Sequence, residues 1–98
     1  MIRKIEMIIS NFNVLIDKEN NNCIINDREC VLKSDDIDNI IRIIRNWDYN
    51  YINNKIIGEN HNMINIICND NEYKYRFDNA FPDNFRDLVD YIGGIYDR

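Results

Sequence analysis

Between Lys4 and Asp17 apolar side chains recur at every second residue, and after Ser34 they recur at every third and fourth. That change of period, from two to about 3.6, restricts the chain to a fold in which blocks of strand and helix follow one another. Ile5, Met7 and Ile9 point one way while Lys4, Glu6 and Ile8 point the other. Phe12, Val14 and Ile16 repeat the pattern beyond a Ser10-Asn11 turn. Lys18-Glu19-Asn20-Asn21-Asn22 is polar and turn-forming, Cys23-Ile24-Ile25 resumes a strand, and Asn26-Asp27 turns again. Glu29 to Lys33 reads as one more short strand. Together these segments predict an antiparallel meander.

The next block is helical. Ser34 has the chemistry of an N-cap, and Asp35, Asp36 and Asp38 place negative charge where a helix dipole favours it. Ile37, Ile40, Ile41, Ile44 and Trp47 form one apolar stripe. Asp38, Asn39, Arg42, Arg45 and Asn46 share the opposite face, with Asp38 and Arg42 spaced as an i, i+4 ion pair. The spacing predicts a helix that frays near Tyr49-Asn50. Ile56-Ile57 reads as a short strand before Gly58, and Met63–Cys68 with Glu72–Phe77 reads as a hairpin around Asn69-Asp70-Asn71. Pro82 suits the first position of a second helix carrying Phe85, Leu88, Val89 and Ile92, which Gly93-Gly94 should end. The expected fold is a single α+β domain over residues 1–98: an antiparallel sheet, N-terminal meander plus C-terminal hairpin, with two amphipathic helices packed on one face.

The stretch from Tyr75 to Ile92 contains Phe77-Asp78-Asn79-Ala80-Phe81-Pro82-Asp83-Asn84-Phe85. It resembles a tail found in small uncharacterised proteins of low-GC bacteria and their mobile elements. In that tail a strand ends in Tyr/Phe-x-x-Asn-Ala-Tyr/Phe-Pro-x-Asn-Phe, and a helix with Leu at helical spacing follows. The resemblance covers about a fifth of the chain. It implies a strand-to-helix junction and an origin, and no activity.

Composition narrows the function classes. Ninety-eight residues suffice for one core without a metal or a disulfide framework. Ile and Asn dominate, Thr and Gln are absent, and Ala80 is the only alanine, a bias that AT-rich coding produces. On that reading most asparagines occupy solvated positions. The net charge of −5, with basic residues scattered from Arg3 to Arg86, disfavours direct nucleic-acid binding. It favours another protein with a basic surface as partner. Apolar runs are too short to span a membrane, and Glu6 interrupts any leader-like segment, so a cytoplasmic location is expected. Cys23, Cys30 and Cys68 form no C-x-x-C pair and read as reduced structural thiols.

No motif carries catalysis. The only candidate nucleophile-and-base sets combine Ser10, Ser34 or a cysteine with the lone His61, and no spacing joins them. Zinc would require Cys23, Cys30, His61 and Cys68 to converge from separate strands. A calcium-loop register starting at Asp17 fails, with Asn22 at the glycine position and Arg28 at the final acidic one. No cofactor site is expected. The remaining candidates are surface groups: Asp83, Asp87 and Asp90 on one side of the second helix, Asp35 and Asp36 at the start of the first, and Tyr49 and Tyr51 where the first ends. The plain alternative for the acids is a solvated helix face. The expectation is a non-enzymatic, small acidic protein-binding module: an inhibitor, immunity protein or phage anti-defence protein acting by contact. A structural subunit or homodimer covering an exposed sheet face, and a small enzyme or ligand binder, are the alternatives.

Overall fold

The structure, a computed structural model, describes residues 1–53, 55 and 61–98. Strand β1 (Ile2–Ile9) is followed by β2 (Phe12–Asp17), β3 (Asn22–Ile25) and the two-residue β4 (Arg28–Glu29). Helix α1 (Asp36–Ile44) leads to β5 (Asn50–Ile52), then the hairpin β6 (His61–Cys68) and β7 (Asn71–Asp78), and finally helix α2 (Phe85–Tyr96). Among the described residues the strands form one sheet of order β4-β3-β2-β1-β6-β7-β5. The fold is α+β, as its hydrophobic periods require. The strand expected at Ile56-Ile57 lies outside the described residues.

Register explains why one sheet face is the core. Met7 stands opposite Val14 on β2 and Ile64 on β6, and Ile5 stands opposite Ile16 and Ile66. Cys23 and Ile25 continue that face on β3, and Phe77 continues it on β7. All are buried, as are Ile37, Ile40 and Ile44 of α1 and Leu88, Ile92 and Ile95 of α2. Both helical stripes therefore close over the same face.

Asparagine at the turns holds the hairpins. Asn26 and Asp27 both take positive φ (50° and 65°) between the paired residues Ile25 and Arg28, the geometry of a two-residue hairpin loop. Ser10, Asn21, Asn69 and Asn79 also take positive φ, which asparagine tolerates better than most residues. Asn26 then uses its side chain, accepting from the Asn13 amide at 2.8 Å and donating to the Asn11 carbonyl at 3.1 Å. Several asparagines that AT-rich coding would account for are thus placed by turn chemistry.

The elements differ from expectation in six places. Helix α1 starts at Asp36 with Asp35 in the cap position, and Ser34 lies before it. The helix stops at Ile44, where the Trp47 amide donates to the Ile44 carbonyl and closes a tighter turn that still buries Trp47. The strand expected over Glu29–Lys33 ends at Glu29, after which the Val31 carbonyl accepts from Arg98. Strand β5 was not expected, and its parallel pairing with β7 (Tyr51 opposite Phe77) makes the sheet mixed. Helix α2 begins at Phe85, three residues after Pro82, and runs through Gly93-Gly94 to Tyr96 because Ile95 extends the stripe of Leu88 and Ile92. Gly93 faces the Phe12 ring, to which an added Cβ would lie at 3.6 Å.

Truncating Ile44 or Leu88 to Ala removes a fully enclosed side chain and should lower unfolding free energy by about 2–5 kcal/mol in a denaturant melt. Gly94 is exposed, inside the helix, with nothing within 4 Å of an added Cβ. Gly94→Ala should therefore stabilise the protein by about 0.5–1 kcal/mol in the same measurement. A loss of stability would mean that the last turn of α2 is not helical in solution.

Candidate functional site

Of the first-helix acids, Asp35 is exposed and Asp36 is completely buried. Asp36 falls four and eight residues before Ile40 and Ile44, so it belongs to the apolar stripe and faces inward. There it receives two hydrogen bonds from the Arg98 guanidinium (2.6 and 2.8 Å), one from the Tyr91 hydroxyl (2.7 Å) and one from the Lys33 amide (2.6 Å). The Tyr91 oxygen in turn accepts from Asn39 Nδ2 at 2.9 Å. Burial alone would raise the Asp36 carboxyl, but the donors from Arg98, Tyr91 and Lys33 outweigh it and hold the group at about 2. Asp36 is thus a structural anchor, and the expected surface role does not fit it.

The acids of the second helix are placed differently. Asp83, expected on the helix, lies in the turn before it, whereas Asp87 and Asp90 lie on it; all three are exposed, and Asp90 pairs with Arg86 one turn earlier at 3.1 Å. Two clefts flank them. One, of about 400 Å³, lies between the Ser10–Phe12 turn and α2 and is lined by Phe85, Val89 and Asp90. The other, of about 500 Å³, lies where α1 ends and is lined by Arg42, Trp47, Tyr51 and Asp83. Phe81 borders both. It is 38% exposed, with its ring 4.6 Å from Phe85 and 6.3 Å from Phe77, so it continues the core aromatics to the surface. Phe81 was not among the expected contact residues. Its position immediately before Pro82 marks a segment outside either helix, where an aromatic can stay exposed.

Backbone and aromatic contacts fix the wall of the second cleft. Asn84 accepts from Trp47 Nε1 at 2.7 Å and donates to the Ile43 carbonyl at 3.0 Å, joining the end of α1 to the start of α2. Tyr51 is half-buried, stacked on Phe77 with centroids 5.6 Å apart, and its hydroxyl accepts from the Asp48 amide at 3.0 Å. Tyr49 is exposed and lies 5.0 Å from the Tyr75 ring. Of the two, Tyr49 is the more accessible, and Tyr51 contributes a cleft wall.

The groups considered for chemistry remain apart. His61 opens β6, and its Nδ1 lies 2.9 Å from Asp78 Oδ1, while Arg76 holds the other Asp78 oxygen at 2.8 Å. The hydrogen bond with His61, followed by Arg76, lowers the Asp78 carboxyl despite partial burial. Among the described residues no serine or cysteine hydrogen-bonds His61. Cys23 is buried, which pushes its thiol up to about 11, away from the reactive thiolate. Among the described residues no three His, Cys, Asp or Glu side chains are grouped to hold a metal ion, and no helix is long and apolar enough to cross a membrane. Comparison with family models, curated proteins and solved structures returns no match.

The Asp36 geometry sets the acid response. Its folded value lies below the ordinary 3.8, so its contribution is fully present above about pH 4 and is lost as pH falls through about 2. Arg98→Ala leaves a buried carboxylate without its cation and should cost about 3–5 kcal/mol. It should also move acid unfolding to higher pH. Equal acid midpoints for the wild type and a folded Arg98→Ala variant, followed by circular dichroism, would remove Asp36 from this role.

Proposed function

We propose that the chain is a small acidic protein-binding module that seats a basic segment of another protein, as an inhibitor, immunity protein or phage anti-defence protein does. One observation carries the reading: an exposed aromatic, Phe81, stands between two clefts whose rims hold Asp83 and Asp90. An apolar centre with a polar rim is the common anatomy of a contact surface. Asp87 lies one turn from both Asp83 and Asp90, and Arg86 offsets only part of this charge. Lys or Arg side chains of a partner can meet the carboxylates while their aliphatic stems, or a neighbouring apolar residue, cover the Phe81 ring.

The charges and the ring should separate kinetically. Reversing Asp83, Asp87 and Asp90 to Lys takes the net charge from −5 to +1, each reversal adding two. All three are exposed, so the fold should persist. The variant should associate at least about tenfold more slowly with the partner that wild type recovers from native lysate, and with reversed salt dependence. Phe81→Ala should instead accelerate dissociation. A folded triple variant with unchanged association rate and salt dependence, measured by surface plasmon resonance, would sink the proposal.

A further inference from the structure

The hairpin that joins β3 to β4 brings two cysteines side by side. Ile25 pairs with Arg28 and Ile24 with Glu29, so the same register sets Cys23 opposite Cys30. The ladder reaches that far, because the Cys30 amide donates to the Cys23 carbonyl at 2.8 Å. Directly opposite residues of an antiparallel pair share a face, and a hydrogen-bonded pair of this kind has its Cα atoms about 5.5 Å apart. That separation lies within the range a disulfide spans. Both side chains pack on the core face, with Cys23 buried and Cys30 partly exposed at its edge. The Cys30 thiol rests on the Arg28 carbonyl at 3.5 Å, a weak contact that rotation about Cα–Cβ releases. Cys68 stands three strands from Cys23, on β6, about 14 Å away by strand spacing, and cannot bridge to it.

We propose that Cys23 and Cys30 form a redox site, closed to a disulfide by a low-molecular-weight disulfide such as oxidised glutathione and reopened by excess thiol. The partly exposed Cys30, as thiolate, attacks one sulfur of the oxidant and expels the first small thiolate, which leaves a mixed disulfide on Cys30. Cys23 then loses its proton to solvent and attacks the Cys30 sulfur. The Cys23–Cys30 bond forms, the mixed disulfide breaks, and the second small thiolate leaves. The two protein thiols give up two electrons and two protons, and one small disulfide becomes two thiols. Burial divides the labour. It raises the Cys23 thiol, with the nearby Cys30 sulfur adding to the effect, so Cys23 suits the second step, in which its target is already held opposite it.

The bridge acts on the rest of the fold through the residues around Cys30. The Val31 carbonyl accepts from Arg98 and the Lys33 amide donates to Asp36, while the Arg28 guanidinium lies 3.8 Å from the centroid of the Tyr96 ring. Closure therefore pins the segment that carries one side of the Asp36–Arg98 contact. None of these groups lines the Phe81 clefts, so this site and the contact surface can fail independently.

Equilibration of the full chain in glutathione redox buffers, followed by acid quenching and mass spectrometry, tests the site. The folded protein should lose two hydrogens, with Cys23 joined to Cys30 and Cys68 free. Trypsin cuts between the two cysteines, after Arg28, so the bridged peptides should stay together until reduced. The equilibrium constant for closure should be at least about tenfold larger in the folded protein than in the same chain unfolded in urea, because the fold holds the thiols in register. Cys68→Ser should leave that constant unchanged, and Cys30→Ser should abolish closure. Closure that is equal or weaker in the folded protein would overturn the proposal. So would a folded-state bridge that includes Cys68.

Discussion

The ion pair between the buried Asp36 and the partly exposed Arg98 holds together parts of the chain that nothing else connects so directly. Asp36 begins α1, Arg98 follows α2, Tyr91 belongs to α2, and Lys33 ends the segment that leaves the sheet after β4. A carboxylate enclosed this completely is tolerated only because four donors meet its two oxygens. The same donors fix the antiparallel setting of the two helices at one end. Asn84 does so at the other, through Trp47 and Ile43. Between these two polar anchors the packing is aliphatic and aromatic, and no direction is imposed on it. Polar contacts here set register, and burial supplies the bulk of the stabilisation.

Because the anchors fix how α2 leaves the sheet, they also fix what the segment before it can expose. Residues 79–84 bridge β7 and α2, beginning with Asn79 at positive φ. Phe85 turns inward against Trp47 and Phe77, and Phe81 is left between the helical layer and solvent. Asp87 and Asp90 are then carried on the helix itself, with Asp83 in the turn that leads into it, which lowers the ordering cost of any contact made there.

Much of this was legible in the residues. The switch of period at Ser34 located α1, and alternation located β1, β2 and the β6–β7 hairpin, because a half-buried sheet needs that pattern. Two errors were correctable from the same rule. Asp36 lies in phase with Ile40 and Ile44, and Ile95 lies in phase with Leu88 and Ile92. Spacing outranked the usual meaning of an acid near a helix start and of two consecutive glycines. Strand β5 was hidden for a different reason. Three residues paired along a sheet edge through their backbones have no need of a side-chain pattern. The Arg98 contact was hidden because its partner is distant in sequence, and charge alone does not pair residues. At the candidate site the exposure of Asp87 and Asp90 was legible from helical spacing, whereas Asp83 precedes the helix and exposure of Phe81 depends on the bridging segment that aims it.

The position of β1 has a consequence for how the molecule assembles. It lies in the middle of the sheet, yet one of its edges can pair at once with β2 while the other must wait for β6, beyond α1 and β5. A meander can therefore form from local hairpins, each closing a short loop at low entropic cost. The β1–β6 ladder closes a much longer loop and should form last among the central pairings. Until it does, a strand destined for the interior presents open backbone donors and acceptors beside Ile5, Met7 and Ile9, the kind of edge that recruits other chains. During synthesis that interval lasts while the intervening segment is translated. The polar Lys4 and Glu6 on the same strand then act as gatekeepers against aggregation of the nascent chain.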